Sequence, residues 1–231
     1  MKLKQITLTG VDAHTDINRL CEIQREYPIA EFGVLVSQNW AKNGNRYISP
    51  DKIDNLRDKG LNLSCHACGK IAREALRGNW APVQQLTHGL AGIFNRCQLN
   101  IATADIKEEK LYTDVPMGLK EVIIQQKDAD HMEIWNKIQL HYNLSVILDA
   151  SGGHGIDTPV VPYDLNDTKV GYAGGMNPEN VGEKLDFLLK SDIVKDFWID
   201  METGVRTDDW FDLDKVIKVL EICTKVINDN K

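Results

Sequence analysis

Lys169-Val170-Gly171-Tyr172-Ala173-Gly174-Gly175-Met176-Asn177-Pro178-Glu179-Asn180-Val181 sets a strand, a glycine turn and a helix start end to end. Residues 169–173 form a short apolar run of strand length, and the Gly174-Gly175 pair ends it. Asn177 is a capping type placed before Pro178, whose fixed φ suits the first helical turn, and Glu179 puts an acid at the positive end of the helix dipole. A strand that runs straight into a capped helix is half of a βαβ unit, which predicts a parallel sheet.

The same cadence of apolar run, polar loop and helical stretch extends in both directions. Strands are expected at Gln5–Thr9, Glu31–Ser37, Leu61–His66, Arg96–Ile101, Glu121–Gln125, Leu144–Asp149, Lys169–Ala173 and Phe197–Met201. They recur about every 29 residues, the size of one βα unit. Ser49-Pro50-Asp51 repeats the cap-proline-acid signature. Leu213, Val216, Leu220, Cys223 and Ile227 fall at helical spacing in the last helix, as do Met132, Trp135 and Ile138 in the fifth. A further helix is expected near Ala81–Ile93. No linker-like stretch divides the chain of 231 residues. Eight units favour an α/β fold of one domain over residues 1–231, a (β/α)8 TIM barrel, over an open doubly wound sheet.

Composition narrows the partners. Lys and Arg number 27 against 34 Asp and Glu, a formal net charge of −7. That argues against nucleic acid and against an anionic membrane surface, which both attract basic faces. It leaves room for an anionic small molecule, because helix N-termini and backbone N–H groups bind phosphate without net positive charge. The sequence carries no apolar segment long enough for a signal peptide or a membrane span. Five cysteines, Cys21, Cys65, Cys68, Cys97 and Cys223, stand in periodic apolar segments and read as reduced thiols. A cytoplasmic protein, monomer or homodimer, is the expectation.

In such a barrel the chemistry sits at the C-terminal strand ends. Those ends hold Thr9-Gly10-Val11-Asp12, Ser37, His66, Gln98, Asn100, Asp149, Gly174-Gly175 and Asp200-Met201-Glu202-Thr203-Gly204. Gly174 and Gly175 after strand seven, with Thr203 and Gly204 after strand eight, have the makings of a phosphate cradle. Glycines let backbone amides approach an anion, and barrels commonly bind phosphate at these two loops. The plain alternative is that the glycines only turn the chain. A third glycine loop, Ser151-Gly152-Gly153-His154-Gly155, follows Asp149; an acid there suits a general acid, or else it binds its own loop's N–H groups. Cys65-His66-Ala67-Cys68 lacks a second ligand pair for zinc, so core thiols are expected, with His66 a possible pocket residue. Asp149, Asp200 and Glu202 could instead share a divalent cation, but neither a metal nor a cofactor is expected.

Taken together, these motifs make the chain similar to the phosphoribosylanthranilate isomerase family. Thr9-Gly10-Val11-Asp12 with Asp16 resembles the family's Lys-Ile-Cys-Gly-Leu-Thr-Arg-Pro-Glu-Asp opening. Arg46-Tyr47-Ile48-Ser49-Pro50 is similar to Arg-Tyr-Val-Ser-Pro, and Cys97-Gln98-Leu99-Asn100 to Val-Gln-Leu-His. Leu148-Asp149 with Gly152-Gly153-His154-Gly155 resembles Leu-Asp and Gly-Gly-Thr-Gly. Ala173-Gly174-Gly175-Met176-Asn177-Pro178-Glu179-Asn180-Val181 is nearly the family's Ala-Gly-Gly-Leu-Asn-Pro-Glu-Asn-Val, and Thr203-Gly204-Val205 resembles Ser-Gly-Val.

The resemblance implies an Amadori rearrangement of an aminoribose phosphate to an aminoketose. Asp149 matches the general acid, Gly174, Gly175, Thr203 and Gly204 match the phosphate cradle, and Arg46 matches the residue facing the substrate carboxylate. His66, Gln98, Asn100, Gly153 and His154 are expected to contact substrate. The family's base is the cysteine before the first-strand glycine, and here that position is Thr9. A threonine hydroxyl has no accessible pKa for proton abstraction, so that step needs another base. Glu202, Asp12 or His14 could supply it, with Glu202 favoured because a strand end holds it; an ion pair of Glu202 with Arg206 is the competing assignment. The expectation is an isomerase of the aldose–ketose type acting on a phosphorylated sugar or sugar-derived amine. The alternative is a non-catalytic protein that binds a small phosphorylated metabolite.

Overall fold

In the computed structural model the described residues are 2–42, 45–101, 115–126, 144–151, 155–163 and 169–231. Eight parallel strands close into a barrel in chain order. They are β1 (Leu3–Thr9), β2 (Ala30–Val36), β3 (Leu63–Cys68), β4 (Arg96–Asn100), β5 (Glu121–Gln126), β6 (Leu144–Asp149), β7 (Val170–Ala173) and β8 (Phe197–Met201). Closure is made by β1 against β8, with Ile6 opposite Ile199 and Leu8 opposite Met201. Each strand is covered on both sides, which is why the strands read as near-continuous apolar runs.

Local signals place the helices. α1 (Ile17–Glu26) starts where the Asp16 carboxylate accepts from the N–H groups of Asn18 and Arg19. α2 (Pro50–Asp54) has its proline in the first turn. α3 (Lys70–Leu76) and α4 (Ala81–Leu86) follow β3. After β7, Asn177 accepts from the N–H groups of Glu179 and Asn180 and so begins the turn that leads into α5 (Val181–Lys190). α6 (Leu213–Asp229) is capped by Asp212 and buries Val216, Val219, Leu220 and Cys223.

Two expectations shift. The helix expected over 81–93 breaks in two, because His88 and Gly89 both take positive φ and only a 3-10 turn, Leu90–Gly92, follows. β3 runs two residues later than expected, to Cys68. The fifth helix, with Met132, Trp135 and Ile138, lies outside the described residues.

Inside the barrel the two-residue period of the strands alternates inward and outward side chains. The floor is ionic. Arg96 of β4 donates to Glu31 of β2 through Nε and Nη2, at 2.8 and 2.6 Å, and to Glu121 of β5 through Nη1 at 2.9 Å. Lys169 adds a second cation to Glu121. Above the floor lie Ile123, Ile147 and Trp198. Gly171 leaves room for the Trp198 ring, since a Cβ there would overlap it.

Candidate active site

A cleft of about 380 Å³ opens at the C-terminal ends of the strands. The alternation that points Thr7, Glu31 and Arg96 into the floor points Thr9, His66, Gln98, Asp149 and Asp200 into this cleft. Arg46, Asn100, Gly174, Gly175, Glu202, Thr203 and Gly204 also line it. Ten of the thirteen residues singled out from sequence thus share one cavity. Gly153 and His154 lie outside the described residues.

The exception is Asp12, which is 4% exposed and does not line the cleft. Its Oδ1 accepts from the His14 N–H at 2.9 Å and the Thr15 hydroxyl at 3.1 Å, and its Oδ2 from the Phe211 N–H at 2.7 Å. Both oxygens are occupied in tying the first loop to the last. A base must reach substrate, and this carboxylate holds backbone instead. His14 is likewise absent from the lining and packs edge-on against Trp210, centroids 4.2 Å apart.

Asp149 is held from two sides. Its Oδ1 accepts from the backbone N–H and hydroxyl of Ser151, at 3.1 and 2.7 Å, and its Oδ2 from Gln125 at 2.8 Å. Ser151 in turn accepts from the Gly155 N–H. The loop bonding weighed from the sequence is therefore present, and it aims the carboxyl rather than removing it from the cleft.

Asp200 is the residue that sequence reasoning undervalued, having weighed it only as a cation ligand. It is 6% exposed, and the Thr9 hydroxyl donates to its Oδ1 at 2.8 Å. Burial, with Glu202, Glu31 and Asp149 nearby, pushes its carboxyl up to about 8, against the lowering effect of the Thr9 bond. His66 goes the other way: burial and the charge of Arg96 hold its imidazole down to about 3, so it is neutral and serves only as a hydrogen-bonding group, here with Ser64 at 3.2 Å.

Glu202 makes its close ion pair with Arg46 and not with Arg206; burial raises its carboxyl pKa, and the charges of Arg206 and Arg46 oppose that rise. Its Oε1 accepts from Arg46 Nη1 at 2.8 Å, while Arg46 Nε donates to Asp209 Oδ1, also at 2.8 Å. Arg206 turns to backbone carbonyls, reaching Asp209 at 2.8 Å and Asn45 and Gly10 at 3.4 Å. Asp209 is presented by a tight hairpin between β9 (Arg206–Thr207) and β10 (Trp210–Phe211), in which Asp208 and Asp209 take φ of 50° and 66°. Left-handed backbone at two successive non-glycine residues costs about 1–3 kcal/mol each, a strain typical of functional loops.

The two glycine loops meet. A Cβ on Gly204 would overlap the Met176 carbonyl oxygen and stand 2.8 Å from Asn177 Cβ. Gly174 and Gly175 take φ of 117° and 61°, and a side chain on Gly175 would overlap the backbone of Asp157. Among the described residues no acceptor is bonded to the N–H groups of Gly174, Gly175, Thr203 or Gly204. Unengaged amides beside an open cleft are the ingredients of an anion nest. Although Asp149, Asp200 and Glu202 line one cavity, no group of three metal-ligating side chains among the described residues is placed to hold a metal ion. Nor is any helix among them long and apolar enough to cross a membrane.

A closed (β/α)8 barrel with a polar cleft at its C-terminal mouth places this chain in the large class of TIM-barrel proteins, whose sites lie at that face. The family model of N-(5'phosphoribosyl)anthranilate isomerase matches residues 104–222, just over half of the chain, and the chain belongs to that family. N-(5'-phosphoribosyl)anthranilate isomerase from Pyrococcus furiosus superposes with a TM-score of 0.56 at 17% identity, covering 96% of this chain and 98% of that one. Phosphoribosyl anthranilate isomerase from Thermococcus kodakaraensis gives 0.55 at 16%, covering 98% of this chain and 100% of that one. At those identities the likeness concerns the fold. No curated protein matches by sequence. The matched segment holds Asp149 and both glycine loops, whereas Thr9, Arg46, His66, Gln98 and Asn100 precede it.

Proposed function

We propose that the chain is an isomerase of the aldose–ketose type acting on a phosphorylated, sugar-derived amine. Asp149 is its general acid, and Asp200 takes the place of the family's cysteine base. One observation carries the base: the residue at the cysteine position, Thr9, donates its hydroxyl to Asp200 at 2.8 Å. A buried carboxyl therefore stands one hydrogen bond from where the base is expected. Glu202, favoured from sequence, has Oε1 tied to Arg46, and Asp12 faces away.

The rearrangement then runs on groups of this chain. Asp149 protonates the ring oxygen, the ring C–O bond breaks, and the nitrogen lone pair forms C=N. Asp200 as carboxylate removes the proton from the adjacent carbon, and that electron pair moves toward nitrogen to give an enolamine. Return of a proton to the former anomeric carbon, with loss of the hydroxyl proton, yields the ketose. Product and substrate have the same atoms and no net redox change. The amides of Gly174, Gly175, Thr203 and Gly204 hold the phosphate.

The test uses phosphoribosyl arylamines formed in solution from ribose 5-phosphate and an aromatic amine, with the ketose product followed chromatographically. The chain forms the ketose, and Asp149→Asn slows it by about 10²–10⁴-fold while retaining ribose 5-phosphate binding. Tight binding of ribose 5-phosphate without any ketose would reject the enzyme in favour of a phosphometabolite-binding protein.

A further inference from the structure

The cation that lines the outer wall of the cleft is already engaged, and the nearby Arg206, whose charge also acts on Glu202, donates to backbone carbonyls. Arg46 is the sole cationic side chain lining the cleft among the described residues. Its Nη1 and Nε each donate to a carboxylate, Glu202 and Asp209, at 2.8 Å. The strained hairpin that brings Asp209 into place gives that second carboxylate no other ion pair among the described residues. Among the described residues the lining beside Arg46 includes the neutral Tyr47, Cys68, Asn100 and Ile101. Burial, then Cys68, lifts the Tyr47 phenol to about 12; burial, then Glu202, lifts the Cys68 thiol to about 12. Both groups are thus uncharged at neutral pH.

We propose that the amine-bearing end of the substrate is uncharged, and that Glu202 and Asp209 fill on Arg46 the place a ligand carboxylate would take. This rests on the sugar-phosphate reading above and names the class within it: an N-substituted phosphoribosylamine with a neutral, hydrogen-bonding or aromatic substituent. A ligand carboxylate entering here would displace Glu202 from Arg46 and then face it as a like charge in a half-buried wall, the kind of juxtaposition that rejects wrong partners. A neutral ring would instead lie against Ile101 and Tyr47 and use Asn100 for hydrogen bonding. The role that the family resemblance gives to Arg46, facing a substrate carboxylate, is here turned inward to position Glu202.

Calorimetric titration of the full chain with three ligands tests this: ribose 5-phosphate, the reduced phosphoribosyl-anthranilate analogue, and the same analogue without its carboxylate. The decarboxylated analogue is expected to bind at least about tenfold more tightly than the carboxylated one, a difference of about 1.4 kcal/mol. Glu202→Gln with Asp209→Asn, isosteric changes that free Arg46, should reverse the order. That reversal compares two ligands on one variant, so a loss of stability does not mimic it. Equal or tighter binding of the carboxylated analogue by the unaltered chain, with ribose 5-phosphate still bound, overturns the proposal alone. Failure to bind all three, ribose 5-phosphate included, overturns it together with the sugar-phosphate reading.

Discussion

Replacing Thr9 by valine removes a single hydroxyl at nearly constant volume and isolates the contact on which the assignment of the base depends. The hydroxyl donates to Asp200 at 2.8 Å and lowers the pKa of that carboxyl, opposing the burial that raises it to about 8. Hydrogen bonds to charged groups contribute about 1.5–3 kcal/mol, which corresponds to roughly 1–2 pKa units. If Asp200 must be ionised and Asp149 protonated, kcat/KM follows a bell whose limbs report both carboxyls, and the limb set by Asp200 lies near about 8. Thr9→Val moves that limb to higher pH by roughly one to two units, and Asp200→Asn abolishes it. Stability supplies a readout independent of turnover. The folded pKa of Asp200 is raised above its ordinary 3.8. Between about 3.8 and 8 the folded chain therefore keeps a proton that the unfolded chain has released, and stability present at low pH is lost as pH rises through about 8. From about pH 6 to pH 8 the loss is about 2–3 kcal/mol at most, or roughly 5–10 °C in Tm at this chain length. Asp200→Asn flattens that component of the Tm profile. An unmoved rate profile in Thr9→Val, or an Asp200→Asn enzyme with undiminished kcat/KM, would refute the assignment.

Two further outcomes follow from the packing. Arg96→Met leaves Glu31, which is fully buried on the barrel floor, without its cation, and should destabilise by about 3–5 kcal/mol; the double change Arg96→Met with Glu31→Leu should recover much of the lost Tm, and no recovery would mean that the ion pair is not the cause. Gly204→Ala drives a methyl into the Met176 carbonyl and forces the seventh and eighth loops apart; at about 1–3 kcal/mol of overpacking transferred to the loop pair, ribose 5-phosphate binding by calorimetry should weaken by roughly five- to 150-fold, and unchanged binding would place the phosphate elsewhere.

How much of this was open to sequence reasoning depends on the reach of each physical cause. The strand cadence and the caps at Asp16, Asn177 and Asp212 act within a few residues, so they can be read directly from the chain. The two-residue period even selects which side chains face the cleft once a strand end is known. What escaped were partnerships between residues far apart in the chain. Nearness in sequence offers Glu202 only Arg206, four residues on, as the ion pair that competes with a role as base; the fold brings Arg46 across the mouth to make the close contact and turns the Arg206 donors onto backbone carbonyls. Asp200 was weighed as a possible cation ligand because its defining bond reaches Thr9 at the opposite end of the chain, across the β1–β8 seam that closes the barrel. In the proposed mechanism that seam takes over the part that the family's cysteine plays. A barrel that ends next to where it begins can move a proton-abstracting role from its first strand to its last with no change in the position of the substrate, because the two strand ends are neighbours. The substitution that made Thr9 look inert as a base is then the one that supplies a hydroxyl to hold and tune the carboxylate beside it.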